Sequence, residues 1–151
     1  MAVALDLAGG GAPLLLSCDA ERVQSVLVNL LQNAIEAVAF RDASSSALPR
    51  EVRVATARAA QGASVAVEDT GSGVAEEARA HLFEPFFTTK RNGTGLGLAT
   101  AARFVGAHGG RIVLEQPASG GARFVVVLPL EAPPERAAPT AARSEAWARP
   151  S

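Results

Sequence analysis

Between Asp19 and Ala39 the apolar residues Val23, Leu27, Leu30, Leu31, Ala34 and Val38 recur at steps of three and four, the period of a helix with one face on a core. Asn29, Asn33 and Glu36 fall, at about 100° per residue, on a narrower stripe beside that face. Asp19 is a suitable N-cap, because its carboxylate can accept a free N–H of the first turn. After a polar stretch from Arg41 to Arg50, broken by Ser44-Ser45-Ser46 and Pro49, the period becomes that of strands. Glu51 to Arg58 sets Val52, Val54 and Ala57 against Arg53 and Arg58, and Ala63 to Val67 alternates again beyond Gln61-Gly62, so the two should pair as a hairpin. Upstream, Val3 to Leu7 and Leu14 to Cys18 read as short strands separated by Gly9-Gly10-Gly11-Ala12-Pro13. A short helix is expected from Ala75 to Leu82, and another from Gly95 or Leu96 to the pair Gly109-Gly110 after His108, glycine being the usual residue past a helix end. Strands from Arg111 to Glu115 and from Arg123 to Leu128 close the pattern. Past Leu130 the periodicity stops in Ala, Pro, Arg and Ser, so residues 1–130 are expected to form the domain and 131–151 a disordered tail.

Composition narrows the function classes. With 151 residues, 48% of them hydrophobic and 19% charged, the chain can bury a substantial single core. Fourteen basic and fifteen acidic residues give a net charge of -1, so no global field draws it to nucleic acid or to an anionic membrane. The N-terminal residues lack the basic start and long apolar run of a signal peptide. No stretch approaches the roughly 20 apolar residues that span a bilayer. Cys18 is the only cysteine, which leaves neither an internal disulfide nor a zinc cluster. The chain as given is expected to be soluble and cytoplasmic, whether or not a longer parent is anchored in a membrane.

Three stretches carry candidate chemistry. In the first, the stripe of Asn29, Asn33 and Glu36 is either a solvated flank or the lining of a cleft, where amide and carboxylate oxygens offer hard ligands to a magnesium ion carrying phosphates. In the second, Val65-Ala66-Val67-Glu68-Asp69-Thr70-Gly71-Ser72-Gly73, a strand delivers a carboxylate to its end. Asp69-Thr70-Gly71 is either a plain turn or an acceptor for the exocyclic amine of adenine, a position where guanine would present a second acceptor. Gly71 and Gly73 would let the backbone approach the flat base. In the third, Phe83, Phe86 and Phe87 gather three of the six phenylalanines into an expected core plug ahead of Lys90. The segment Gly93-Thr94-Gly95-Leu96-Gly97-Leu98 then runs into a helix, whose first N–H groups can bind phosphate oxygens beside the lysine cation. The spacing is not Gly-x-Gly-x-x-Gly and no Gly-Lys-Ser/Thr ending is present, so neither a dinucleotide fold nor a P-loop is indicated.

Taken in order, these stretches make the chain similar to the ATP-binding catalytic domain of sensor histidine kinases, within the wider family that includes gyrase and the heat-shock chaperone ATPases. Asn29-Leu30-Leu31-Gln32-Asn33-Ala34 resembles the N box, and Asp69-Thr70-Gly71-Ser72-Gly73 the first glycine box. Phe83-Glu84-Pro85-Phe86 resembles the F box, and Gly93-Thr94-Gly95-Leu96-Gly97-Leu98 the second glycine box. The run from Phe83 to Lys90 resembles the nitrogen-regulation-like subgroup.

The resemblance implies a two-layer α/β sandwich, with a mixed sheet of about five strands packed on three helices and ATP under a lid of roughly Phe87 to Gly95. It implies that Asn33 ligates magnesium and that Asp69, with Gly71 and Gly73, holds the base. Lys90, Thr94, Gly95, Leu96, Gly97 and Leu98 would hold the phosphates, with Asn29 and Lys90 as the catalytic pair. At position 29 the hydrolytic relatives carry a glutamate that activates water. An amide cannot act as a general base, which favours phosphoryl transfer over vigorous hydrolysis.

The implied partners are a histidine-bearing dimerisation domain and a response-regulator receiver domain, with no nucleic acid and no direct membrane contact. A serine kinase of the anti-sigma type and a non-catalytic ATP-gated interaction module are the alternatives. Two departures accompany the likeness. The acceptor-bearing helical hairpin is not among these 151 residues, so the chain is expected to be an excised domain or to have its acceptor on another polypeptide, and His81 and His108 suit packing or surface roles better than phosphate acceptance. Ala122 also stands where the family often has threonine.

Overall fold

The computed structural model describes residues 2–6, 16–41, 49–60, 62–90, 93–118 and 120–130. The expected tail, the polar stretch 42–48 and Arg91-Asn92 lie outside the described residues. The chain begins with β1, Ala2–Asp6, and then α1, Ala20–Ala39. Residues 16–18 are irregular rather than strand, which corrects the strand expected at Leu14 to Cys18; Leu14 and Leu15 are outside the described residues. Ser17 bonds through its N–H to the carbonyl of Leu130 at 3.4 Å. Asp19 caps α1 as expected, its side chain accepting from the N–H of Arg22 at 3.2 Å.

The period-two segments become β2, Glu51–Ala59, and β3, Gly62–Asp69. They form an antiparallel pair, followed by the one-turn helix α2, Glu76–Arg79. Helix α3, Gly97–Ala107, stops at His108 and Gly109, the latter at φ = 71°, a left-handed conformation natural to glycine. Strands β4, Arg111–Glu115, and β5, Arg123–Pro129, complete one five-stranded sheet in the order β1-β2-β3-β5-β4. Only β1 lies parallel to its neighbour. The expected mixed sheet of five strands with three helices is what the described residues form.

Register explains the core. Val54 stands opposite Val67, Val67 opposite Phe124, and Phe124 opposite Leu114, so one row across four strands turns apolar side chains to the same face. That row packs with Val26, Leu30, Ala34 and Val38 of α1 and with Ala101, Phe104 and Val105 of α3. Leu30 and Val38 are wholly buried. Val26 joins this seam although the periodicity pointed to Val23 and Leu27, which are only half-buried. Ala57 is exposed, contrary to its expected inward side. Asp69 is two residues beyond Val67 on β3 and therefore shares its inward face. The fold thereby delivers a carboxylate to the helix layer.

Candidate functional site

The stripe on α1 is the centre of the site. Asn33 donates from Nδ2 to Asn29 Oδ1 across one helical turn, at 3.3 Å, leaving its own Oδ1 to point outward. That oxygen accepts from Lys90 Nζ at 2.6 Å, and the same ammonium is 2.5 Å from Glu36 Oε2. The turn that carries the lysine is held by its own N–H, which donates to Thr88 Oγ1 at 3.1 Å. On the other side of the amide pair stands the first residue of α3. A Cβ on Gly97 would lie 2.6 Å from Asn29 Oδ1 and 2.9 Å from Asn29 Cγ, so any larger residue here would push the Asn29 amide aside. No side chain caps α3 at Leu96, and the first N–H groups of a helix have no partner within the helix. Asn29, Asn33, Lys90 and Gly97 are thus brought together from three separate stretches of chain.

Around that core the remaining glycine-box residues take different places. Gly95 adopts φ = 68° and accepts the N–H of Phe86 at 2.9 Å, tying the two ends of the expected lid. Thr94 Oγ1 accepts from the N–H of Leu96 at 3.4 Å. Leu96 is exposed, whereas Leu98 packs against the hydrophobic core. Phe86, expected in the core plug, is instead 76% exposed at φ = 69°. Phe83 is packed on the core and Phe87 lies against the His81 ring.

Asp69 forms the second pole. Its Oδ1 accepts from the N–H of Gly71 at 2.8 Å and of Ala122 at 3.3 Å. Among the described residues its Oδ2 meets no protein donor, and so remains an acceptor for a ligand. Burial raises the carboxyl pKa above its ordinary 3.8, the two backbone N–H groups pull it back, and the nearby Glu68 charge adds to the rise. Gly71 faces α1: a Cβ there would stand 2.7 Å from that of Ala37. Its missing side chain therefore serves helix-to-strand packing. Gly73, at φ = 72°, backs onto the carbonyl of Gly121. Ala37, Asn33 and Asn29 follow one another at four-residue steps along α1, about 12 Å end to end at the helical rise. One edge of the helix thus carries Asp69 and Gly71 at one end and the Asn29–Gly97 contact at the other.

Sequence reasoning placed Glu36 on the stripe as a candidate oxygen ligand and missed its pairing with Lys90; it also missed that Ala122 serves through its backbone. The pair Gly120-Gly121, both at positive φ, was the available signal for that close approach. Beyond Asn29 an open groove of about 580 Å³ continues between α1 and α3, lined by Arg22, Ser25, Arg103 and Phe104 among others. Neither histidine reaches the Asn29–Lys90 cluster: His81 pairs with Glu84 at 3.0 Å, and His108 packs its ring, tilted, on Phe104 and lines that groove.

An open sheet with one helical face, an amide-lined helix edge and a glycine-rich helix start define an ATP-binding α/β sandwich. Residues 18–132 match the model of the Histidine kinase-, DNA gyrase B-, and HSP90-like ATPase family, and the chain belongs to that family. It is 44% identical over 120 residues to the sensor protein FixL of Bradyrhizobium diazoefficiens, covering 79% of this chain and 22% of that protein. It is 34% identical over 116 residues to the signal transduction histidine-protein kinase AtoS of Escherichia coli, covering 76% and 18%. The chain thus spans about a fifth of these relatives. Among solved structures, a nucleotide-free catalytic domain of histidine kinase ThkA superposes with a TM-score of 0.71 at 30% identity, over 85% of this chain and 78% of that one. Full-length ShkA in complex with AMPPNP superposes with a TM-score of 0.68 at 29% identity, over 87% and 26%. The likeness to histidine kinase catalytic domains therefore holds in sequence and in fold. Among the described residues no helix is long and apolar enough to cross a membrane.

Proposed function

We propose that this chain is the catalytic unit of a two-component sensor kinase, which binds ATP with magnesium and transfers the γ-phosphoryl group to a histidine on a separate dimerisation domain. A receiver-domain aspartate then takes the group. The observation that carries this reading is the line along α1 from Asp69 and Gly71 at Ala37, past Asn33, to Asn29 and Gly97. Asp69 Oδ2 accepts the adenine amine at one end. The free N–H groups of α3 and Lys90 receive the phosphates at the other.

The donor set suits magnesium. No cluster of three His, Cys, Asp or Glu is found among the described residues, and magnesium is commonly held by few protein oxygens plus phosphates. Asn33 Oδ1 already holds a cation, the Lys90 ammonium. When bound, the metal would neutralise phosphate charge and fix its geometry. Asn29 orients the Asn33 amide and supplies no base, so the site is built for positioning rather than for activating water. The exposed Phe86 and Leu96 flank this end and offer apolar contact to the acceptor domain.

The test is incubation of the chain with γ-labelled ATP, magnesium and a histidine-bearing dimerisation domain. Acid-labile label on the acceptor is expected. Acid-stable phosphoserine would favour an anti-sigma-type kinase, and binding without any transfer would favour an ATP-gated interaction module.

A further inference from the structure

A carboxylate at Glu36 would repel a polyphosphate unless a cation stands between them. It lies on the same stripe as Asn29 and Asn33, three residues beyond the proposed metal ligand, where like charges repel. Its partner is Lys90, whose ammonium spans Glu36 Oε2 at 2.5 Å and Asn33 Oδ1 at 2.6 Å. An ammonium between an amide oxygen and a carboxylate oxygen occupies the kind of position a hard cation takes. The pair is half exposed, 42% and 47% by side chain, and so is weak enough to exchange partners.

From this geometry we propose that Glu36 is a positioning residue. It holds the Lys90 ammonium on Asn33 Oδ1 as an internal stand-in for the metal, until metal-bound nucleotide displaces the lysine toward the phosphates. The inference rests on the reading of Asn33 as the magnesium ligand. Without Lys90, Glu36 is left as an unneutralised charge facing the nucleotide. Without Glu36, Lys90 keeps its charge but loses its place.

Two measurements on the 151-residue chain test this. The first is titration of a non-hydrolysable ATP analogue with magnesium into wild type, Glu36→Gln, Lys90→Met and the double variant. Lys90→Met is expected to weaken binding tenfold or more, Glu36→Gln to leave it within about threefold, and the double variant to bind about fivefold tighter than Lys90→Met. The second needs no nucleotide. The Lys90 ammonium should give a side-chain NMR signal in wild type displaced from that of a free lysine, a displaced signal that is lost in Glu36→Gln. Additive effects in the first measurement, or a displaced signal that persists without Glu36, would overturn the inference. If wild type binds the analogue and Asn33→Ala loses the magnesium dependence while the pair remains additive, this inference alone fails. A wild type that binds no metal-bound nucleotide overturns the proposed function with it.

Discussion

Asp69 answers to two opposed requirements. Its inward position at the end of β3 follows from strand alternation, which puts it on the face of Val67. Burial there favours the neutral carboxyl, while the N–H groups of Gly71 and Ala122 favour the ionised one. The net displacement is upward, so the folded chain holds this proton more tightly than the unfolded chain does. The contribution of Asp69 to stability is then fullest below pH 3.8 and is lost as pH rises through the elevated folded value. Urea denaturation of wild type and Asp69→Asn across acid and neutral pH should show their stability difference shifting against wild type as pH increases. Recognition of an amine needs the opposite state. ATP affinity should therefore decline on acidification, beginning above the ordinary aspartate range. Asp69→Asn should weaken ATP binding at pH 7 by roughly ten- to a hundredfold, the effect of one unmatched buried polar group. It should also narrow the preference for ATP over GTP, because an amide can donate to the guanine carbonyl. Parallel titrations with both nucleotides measure both effects.

Helix α1 shows how far an element can be read before its neighbours are known. Its 3.6-residue period, its Asp19 cap and the amide stripe were all legible, because each depends on residues within a few turns. The same locality made β2, β3 and β5 legible through their alternation. What escaped depends on contacts distant in sequence. Gly71 also has to admit Ala37 of α1; Ala122 acts through its backbone on Asp69; Phe86 leaves the plug because Gly95 holds its N–H. Val26 was passed over because the helix rolls to bury the row Val26, Leu30, Ala34 and Val38. Gly97 is the sharpest case of such a long-range demand. Alanine is the better helix former, so Gly97→Ala should leave thermal stability little changed. Its methyl would nonetheless press on the Asn29 amide and disturb the pair with Asn33. Phosphoryl transfer is expected to fall by at least tenfold, since small displacements of positioning groups are costly. A large loss of melting temperature with unchanged transfer would place Gly97 in folding instead.

At the scale of the whole molecule the proposed ligand would join parts that the sheet alone does not. The carboxylate belongs to β3, the amides to α1, the ammonium to the loop after Phe87, and the phosphate-facing N–H groups to α3. A nucleotide held by all four binds only the folded chain, so its binding free energy adds to global stability by mass action. At a hundred times Kd this amounts to about 2.7 kcal/mol, a rise of roughly 5–10 °C in melting temperature for a domain near this size. Removing magnesium with a chelator should abolish much of the rise, because uncompensated phosphates would face Glu36 and lack the bridge to Asn33. In Asn33→Ala the smaller remaining rise should be nearly indifferent to chelator. Thermal melts with and without chelator therefore separate the metal's contribution from that of the adenine pole, where Asp69→Asn should lower the rise while leaving its chelator sensitivity intact. If chelator acted equally on wild type and Asn33→Ala, Asn33 would not be the ligand, even with ATP binding itself preserved.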